Sequence, residues 1–171
     1  MGNLLGSDNN IQKPKLIMTG LDNAGKTTIL YQQKPDKIEN LIPRIGFLVE
    51  QFKSKQFEIF AWDVGRADRC VYIHIPKDSN YDGLIYVDYA DKERMEYAIC
   101  ELQKLLIIDE IKDLPLLLLI NKKDPCQVNI QEIALQFSLE KLCKNWHIQP
   151  CSALTGDGVK DGLKWMQKQI K

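Results

Sequence analysis

The segment from Gly20 to Thr27 has the residue types and spacing of a loop that binds phosphate groups. It fits the pattern of glycine, four residues, glycine, lysine and a hydroxyl residue. Glycines let the backbone wrap tightly, so that amide N–H groups and the N-terminus of a following helix point at the phosphates. The sequence therefore predicts a nucleotide site rather than a chance glycine turn. The predicted phosphate-binding residues are Gly20, Leu21, Asp22, Asn23, Ala24, Gly25, Lys26, Thr27 and Thr28.

A second segment, Asn121-Lys122-Lys123-Asp124, has side chains that suit a guanine base. The Asp124 carboxylate can accept two hydrogen bonds from the edge of guanine, and adenine lacks those donors. The Lys122 stem can cover the base face, and Asn121 can tie this loop to the phosphate loop. Further along, Ser152-Ala153 can place a backbone amide against the base carbonyl oxygen. A four-residue match alone also suits a charged loop, but the three segments in this order favour a guanine nucleotide.

The elements that must position these residues alternate between apolar runs of strand length and longer segments of helical period. This alternation predicts an α/β fold: a single domain with a six-stranded, mostly parallel sheet, one antiparallel edge strand and helices on both faces. Together with the phosphate and guanine segments, it indicates a P-loop GTPase domain. The predicted strands are 15–19, 45–53, 56–62, 83–87, 115–120 and 146–149. The predicted helices are 25–33, 92–108, 129–142 and 158–170. A turn around Ser54-Lys55 joins the second and third strands as a hairpin, which supplies the antiparallel strand.

Composition restricts the possible partners. The 171 residues carry 23 basic and 23 acidic side chains, so the overall charge does not favour nucleic acid. No apolar run approaches the roughly 20 residues of a membrane-spanning helix. The sequence has five cysteines, and we interpret them as reduced thiols of a cytosolic protein. They are Cys70, Cys100, Cys126, Cys143 and Cys151.

The sequence resembles the ADP-ribosylation factor (Arf and Arf-like) family of small GTPases over nearly its full length. The resemblance rests on Gly20–Tyr31, on Ile45-Gly46-Phe47 and on Trp62-Asp63-Val64-Gly65. It implies GTP and GDP as ligands, with Mg²⁺ bound by Thr27 and, through water, by Asp63. It also implies a monomeric switch at Golgi or other secretory-pathway membranes, with exchange factors, activating proteins and effectors as partners.

Three departures from the family pattern fall where GTP is sensed and hydrolysed. Arg44 stands where the family has a threonine that binds Mg²⁺ and the γ-phosphate, and a guanidinium offers no lone pair. Arg66 replaces a glycine whose amide contacts the γ-phosphate. Ala67 replaces the glutamine that orients the attacking water. The expected switch residues are Arg44, Gly46, Asp63, Gly65, Arg66 and Ala67.

These departures predict slow or absent GTP hydrolysis, and we assign no catalytic residue. Arg44 or Arg66 could instead place a positive charge near the γ-phosphate, as an arginine finger does. Another possibility is a GDP-locked or nucleotide-independent pseudo-GTPase that acts as an interaction module. A P-loop kinase is the weakest alternative, because the guanine-type segments leave little chain for a lid and an acceptor site.

The N-terminal segment suggests a lipid anchor. Gly2 can accept a myristoyl group once Met1 is removed, although the motif prefers serine or threonine where this chain has Gly6. One myristoyl chain binds membranes only marginally, and Pro14 limits any amphipathic helix here. We therefore expect residues 1–14 to form a reversible anchor segment and residues 15–171 to form the GTPase domain.

Overall fold

The computed structural model of the chain describes residues 13–33, 37–41, 48–63, 80–89, 93–121 and 129–170. Within these ranges the strands are β1 (Lys15–Gly20), β2 (Lys37–Leu41), β3 (Leu48–Lys53), β4 (Glu58–Asp63), β5 (Gly83–Asp88), β6 (Leu116–Asn121) and β7 (Trp146–Cys151). The helices of the same ranges are α1 (Lys26–Gln32), α2 (Met95–Leu106), α3 (Ile130–Gln136), α4 (Leu139–Leu142) and α5 (Val159–Gln169).

The strands form one sheet in the order β2-β3-β4-β1-β5-β6-β7. Strand β3 runs antiparallel to both β2 and β4, and the remaining neighbours are parallel. The predicted α/β class with a mostly parallel sheet is confirmed. The sheet has a seventh strand, β2, so β3 lies one position in from the edge where the sequence predicted it. The β2 segment was missed because its Lys, Glu and Asn residues are poor strand formers, and pairing with β3 compensates for this.

The hairpin between β3 and β4 closes around Ser54, as predicted. The Ser54 hydroxyl accepts hydrogen bonds from the amides of Gln56 at 3.3 Å and Phe57 at 3.0 Å. The Ser54 amide in turn donates to the Phe57 carbonyl oxygen at 2.9 Å. The side chain thus satisfies turn amides that have no partner in the strand ladder.

The single helix predicted over 129–142 is two helices. Helix α3 is capped by Asn129, whose side-chain oxygen accepts from the Glu132 amide at 3.2 Å. It ends before Ser138, whose φ of 52° lies in the left-handed region. A non-glycine residue in that conformation cannot continue a right-handed helix, so α4 begins anew at Leu139.

The helices lie on both faces of the sheet, as the sequence predicted. Helices α1 and α5 contribute Ile29, Leu30 and Met166 to one apolar layer. Helices α2 to α4 contribute Leu102, Ile133 and Leu139 to the opposite layer. Strands β5 and β6 are buried along their whole length because helices cover both of their sides.

The carboxyl ends of the parallel strands meet at one edge of the sheet. Gly20 pairs with Val87 in register, and Asn121 at the end of β6 pairs with Cys151 at the end of β7. The neighbouring strands β1 and β5 are followed by α1 and α2, which pack on opposite faces. A crevice outside such a strand pair is the usual ligand position in α/β sheets, and the predicted phosphate loop begins there.

Candidate nucleotide-binding site

The phosphate loop connects β1 to α1, and two of its glycines are required by the space around them. Gly20 has a φ of 142°, and a Cβ there would lie 2.1 Å from the Val87 carbonyl oxygen. Gly25 has a φ of 96°, and a Cβ there would lie 2.2 Å from Asn121 Nδ2. Both conformations are strained for any residue with a side chain, and both clashes are with fixed groups. The loop therefore packs against β5 and against the Asn121 side chain.

Lys26 begins α1 and carries its ammonium group back to the loop. It is only 4% exposed, and its Nζ donates to the carbonyl oxygens of Gly20 at 3.0 Å and Leu21 at 2.9 Å. The first turn of α1 contains no acidic residue. The helix dipole and the ammonium group therefore both make this end of the helix positive. Thr27 and Thr28 follow in that turn and are exposed. The start of α1 is therefore an electropositive position with accessible hydroxyl groups.

Asn121 joins the phosphate loop to the segment after β7. Its Nδ2 donates to the Ala24 carbonyl oxygen at 2.8 Å, and its Oδ1 accepts from the Ala153 amide at 2.9 Å. The residue is 6% exposed, so both hydrogen bonds are shielded from water. The prediction that Asn121 ties its loop to the phosphate loop is confirmed.

The segment after β7 is held by its own backbone and by Asn121. Ser152 and Ala153 are both buried. The Ser152 amide donates to the Asp157 carbonyl oxygen at 3.0 Å, and the Gly156 amide donates to the Ser152 carbonyl oxygen at 2.8 Å. The Ala153 amide, a candidate for the base carbonyl oxygen, donates to Asn121. A base at this position would have to share that donor.

The thiol of Cys151 borders this segment at the end of β7. Burial raises the pKa of Cys151 to about 12, because an apolar environment disfavours the thiolate. Burial likewise raises the pKa of Cys143 to about 11. Both groups are neutral near pH 7, so Cys151 adds no charge to the site.

A family model for the ADP-ribosylation factor family matches residues 2–170 of the chain. The chain belongs to the ADP-ribosylation factor family. It is therefore a small GTPase of the Arf type, as the sequence resemblance predicted.

The donor set of this Arf-family protein fits a nucleotide phosphate chain. The carbonyl oxygens of Gly20, Leu21 and Ala24 already accept side-chain hydrogen bonds, as does that of Asp22. Amides in the first turn of a helix have no carbonyl one turn earlier to bond, which leaves them for an anion. A Cβ at Gly25 would disturb this loop, so the cradle depends on glycine. The Thr27 hydroxyl is an oxygen ligand of the kind that Mg²⁺ prefers.

Several predicted site residues lie outside the part of the chain that the structure describes. These are Gly2, Arg44, Gly46, Gly65, Arg66, Ala67, Lys122 and Asp124. Asp63 ends β4 at the same sheet edge as the phosphate loop, and its backbone alone is described. Among described residues, no group of three or more His, Cys, Asp or Glu side chains could hold a metal. Nor is any helix in these ranges long and apolar enough to cross a membrane.

Sequence reasoning missed Arg94, which directly precedes α2 and contacts the phosphate loop. Its Nη1 donates to the Asp22 carbonyl oxygen at 3.2 Å, and its Nη2 forms an ion pair with Asp22 Oδ1. The two residues are 72 positions apart, so no local motif links them. Only the placement of α2 beside β1 brings them together.

Proposed function

We propose that this Arf-family protein binds GDP and GTP at the phosphate loop and hydrolyses GTP slowly or not at all. The observation that carries the proposal is the double hydrogen bond of Asn121 to Ala24 and Ala153. It fixes the phosphate loop and the segment after β7 relative to each other. Loops that are already arranged lose less conformational freedom when a nucleotide binds both of them.

The phosphate loop would hold the phosphates. Lys26 supplies a buried positive charge, and the amides of the loop and of the first turn of α1 supply hydrogen-bond donors. The Thr27 hydroxyl, and Asp63 through water, would hold Mg²⁺, which supplies charge compensation for the phosphates when bound. This part of the site has every residue type that binding requires.

The segments around Asn121 and Ala153 would hold the base. Asp124 would accept hydrogen bonds from the guanine edge, and the Lys122 stem would cover the base face. The Ala153 amide, which donates to Asn121, would be shared with the base carbonyl oxygen. Guanine is preferred over adenine because adenine presents no matching pair of donors to a carboxylate.

The protein lacks side chains that position the reactants for GTP hydrolysis. Phosphoryl transfer depends on orientation and charge stabilisation, and Ala67 cannot orient a water molecule through its side chain. Arg66 brings a bulky side chain where the family has a glycine amide at the γ-phosphate. Arg44 removes a hydroxyl ligand of Mg²⁺. These replacements leave the phosphate loop and Lys26 in place and lower the rate of hydrolysis.

Single-turnover GTP hydrolysis tests the catalytic part of the proposal. We expect the wild type to be slow and the variant Arg66→Gly with Ala67→Gln to be at least about tenfold faster, since it regains a water-orienting group. Wild-type turnover as fast as that of the variant would contradict the proposal. An unchanged rate in Arg44→Ala with Arg66→Ala would eliminate an arginine-finger role for these residues.

We also propose that Gly2 is myristoylated and that the protein, a monomer, associates reversibly with Golgi or other secretory-pathway membranes. Support comes from the Met1-Gly2 start and from the family, whose members act with exchange factors, activating proteins and effectors. A single myristoyl chain gives only marginal binding, which makes the association reversible. Mass spectrometry after co-expression with an N-myristoyltransferase should show one added myristoyl group, absent in Gly2→Ala. An unmodified wild type would refute the anchor.

A further inference from the structure

The phosphate loop contains a four-residue turn in one of the less common backbone forms. The turn runs from Leu21 to Ala24, and the Ala24 amide donates to the Leu21 carbonyl oxygen at 3.3 Å. Asn23 is the third residue of the turn and has a φ of 59°. The commonest turns have a negative φ at that position, and residues with a side chain adopt a positive φ there only at some cost. Contacts outside the turn are therefore expected to hold Asn23 in this conformation.

Arg94 makes a contact of this kind with the central peptide unit of the turn. Its Nη1 donates to the Asp22 carbonyl oxygen at 3.2 Å, and its Nη2 forms an ion pair with Asp22 Oδ1. Because a trans peptide unit is planar, the Asp22 carbonyl and the Asn23 amide rotate together and point in opposite directions. Turns with a negative and a positive φ at the third residue differ mainly in the orientation of this unit. The two contacts of Arg94 therefore favour one of the two orientations.

The contact adds little to the stability of the fold. The side chains of Arg94 and Asp22 are 36% and 31% exposed, and ion pairs with such access to water are screened. Both residues and Asn23 line a cavity of about 380 Å³ beside the loop, which provides space for the peptide unit to rotate. The consequence of the contact is therefore expected in the conformation of the turn more than in the free energy of unfolding.

We propose that Arg94 is a positioning residue of the nucleotide site that fixes the orientation of the Asp22–Asn23 peptide unit. This inference rests on the proposed nucleotide binding. The Asp22 carbonyl points toward Arg94, so the Asn23 amide points away from it and is a donor for a phosphate oxygen. Without Arg94, the unit rotates to the commoner turn form. The rotation withdraws the Asn23 amide and turns a carbonyl oxygen toward the phosphates, which lowers nucleotide affinity.

Equilibrium titration of the full chain with GDP and Mg²⁺ tests the role of Arg94. Arg94→Ala should bind GDP on the order of tenfold more weakly than the wild type. Lys104→Ala is the matched control, because it also removes a positive charge from the α2 region, where Lys104 pairs with Glu101 at 2.7 Å. It should leave the GDP affinity unchanged. An equal loss in Lys104→Ala would overturn the inference, since the effect would then belong to the charge of α2.

A second substitution at Asn23 separates the orientation of the peptide unit from other effects of losing Arg94. Glycine adopts positive φ about as readily as negative φ, so adding Asn23→Gly to Arg94→Ala should restore most of the GDP affinity. Adding Asn23→Ala should not restore it. The Asn23 side chain is exposed, so both replacements act mainly through the backbone. Equal GDP affinity in the two double variants would overturn the inference.

The wild type and one further pair of variants complete the test. If Arg94→Ala does not fold, Asn23→Val and Asn23→Gly are compared with Arg94 in place. Valine strongly disfavours positive φ, so Asn23→Val should bind GDP more weakly than Asn23→Gly, and equal affinities overturn the inference. A wild type that does not bind GDP would overturn the proposed function and this inference together. Wild-type binding with an unaffected Arg94→Ala overturns the inference alone.

Discussion

Asn121 Nδ2 lies 2.8 Å from the Ala24 carbonyl oxygen, and Asn121 Oδ1 lies 2.9 Å from the Ala153 amide nitrogen. One buried side chain thus holds the two loops that would meet the phosphates and the base. Truncation would leave a buried carbonyl and a buried amide without partners, at about 1–3 kcal/mol each.

Asn121→Ala should therefore weaken GDP binding by roughly tenfold to a hundredfold, measured by fluorescent-nucleotide titration. The free energy of unfolding should also fall by about 2–4 kcal/mol. Asn145→Ala is the control, because Asn145 is exposed and its side chain bonds Gln169 at 3.1 Å, away from the site. Equal GDP affinity in the two variants would contradict the role given to Asn121.

Gly25→Ala should abolish detectable GDP binding. Its φ of 96° is strained for alanine, and the added Cβ would lie 2.2 Å from Asn121 Nδ2, which holds both loops. Gly156→Ala is a matched control with a φ of 83°, where the nearest atom is the flexible Gln32 Cγ at 3.2 Å. It should cost about 1–2 kcal/mol of stability and keep nucleotide binding. If both variants bind GDP equally well, the packing of Gly25 on Asn121 is irrelevant to binding.

The buried thiols predict a pH dependence at the alkaline end. Burial raises the pKa of Cys151 from 9.0 to about 12 and that of Cys143 to about 11. The pKa of each thiol is higher in the folded than in the unfolded protein. The contribution of the buried thiols to stability is therefore complete below about pH 9 and is lost as the pH rises toward 12. The free energy of unfolding of the wild type should therefore fall between pH 9 and 11. In Cys151→Ala the fall over the same pH range should be smaller by roughly 1–3 kcal/mol. If the free energy of unfolding falls equally with pH in the two proteins, the burial of Cys151 is not the cause of the pH dependence.

Thiol labelling gives an independent check of the same burial. In a Cys70→Ser and Cys126→Ser background, a thiol reagent at pH 8 should modify the exposed Cys100 and spare Cys143 and Cys151. Denaturant should expose all three. Rapid modification of Cys151 in the native protein would mean that the end of β7 is open to solvent.

Much of the fold was predictable because its signals are local. The phosphate loop is a contiguous motif between an apolar strand and a helix, and the alternation of β5 and β6 with helices predicts a parallel sheet. Strand β2 was not predictable, since its residues have weak strand propensity and the partner strand supplies its order. The break between α3 and α4 was not predictable either. It depends on the left-handed conformation of Ser138, and the helical period of 129–142 gives no sign of it.

The residues of the candidate site also divide into those that the sequence predicted and those that it did not. Asn121 was predicted from its place after a buried strand, and the structure gives the two hydrogen bonds that such a residue can make. Arg94 was not found, because its contact with Asp22 joins residues that only the sheet order brings together. Asn121 also acts across the fold, but it belongs to a contiguous motif that the sequence displays, whereas Arg94 belongs to no such motif.

The most direct test of the account is a titration of purified, nucleotide-free wild-type protein with GDP, a non-hydrolysable GTP analogue and ADP, each with and without Mg²⁺. We predict tight, Mg²⁺-dependent binding of both guanine nucleotides and weak binding of ADP. Tight GDP with weak analogue binding would show that the altered γ-phosphate positions lock one state, and would contradict GTP binding. Binding of none of the three would contradict the account as a whole.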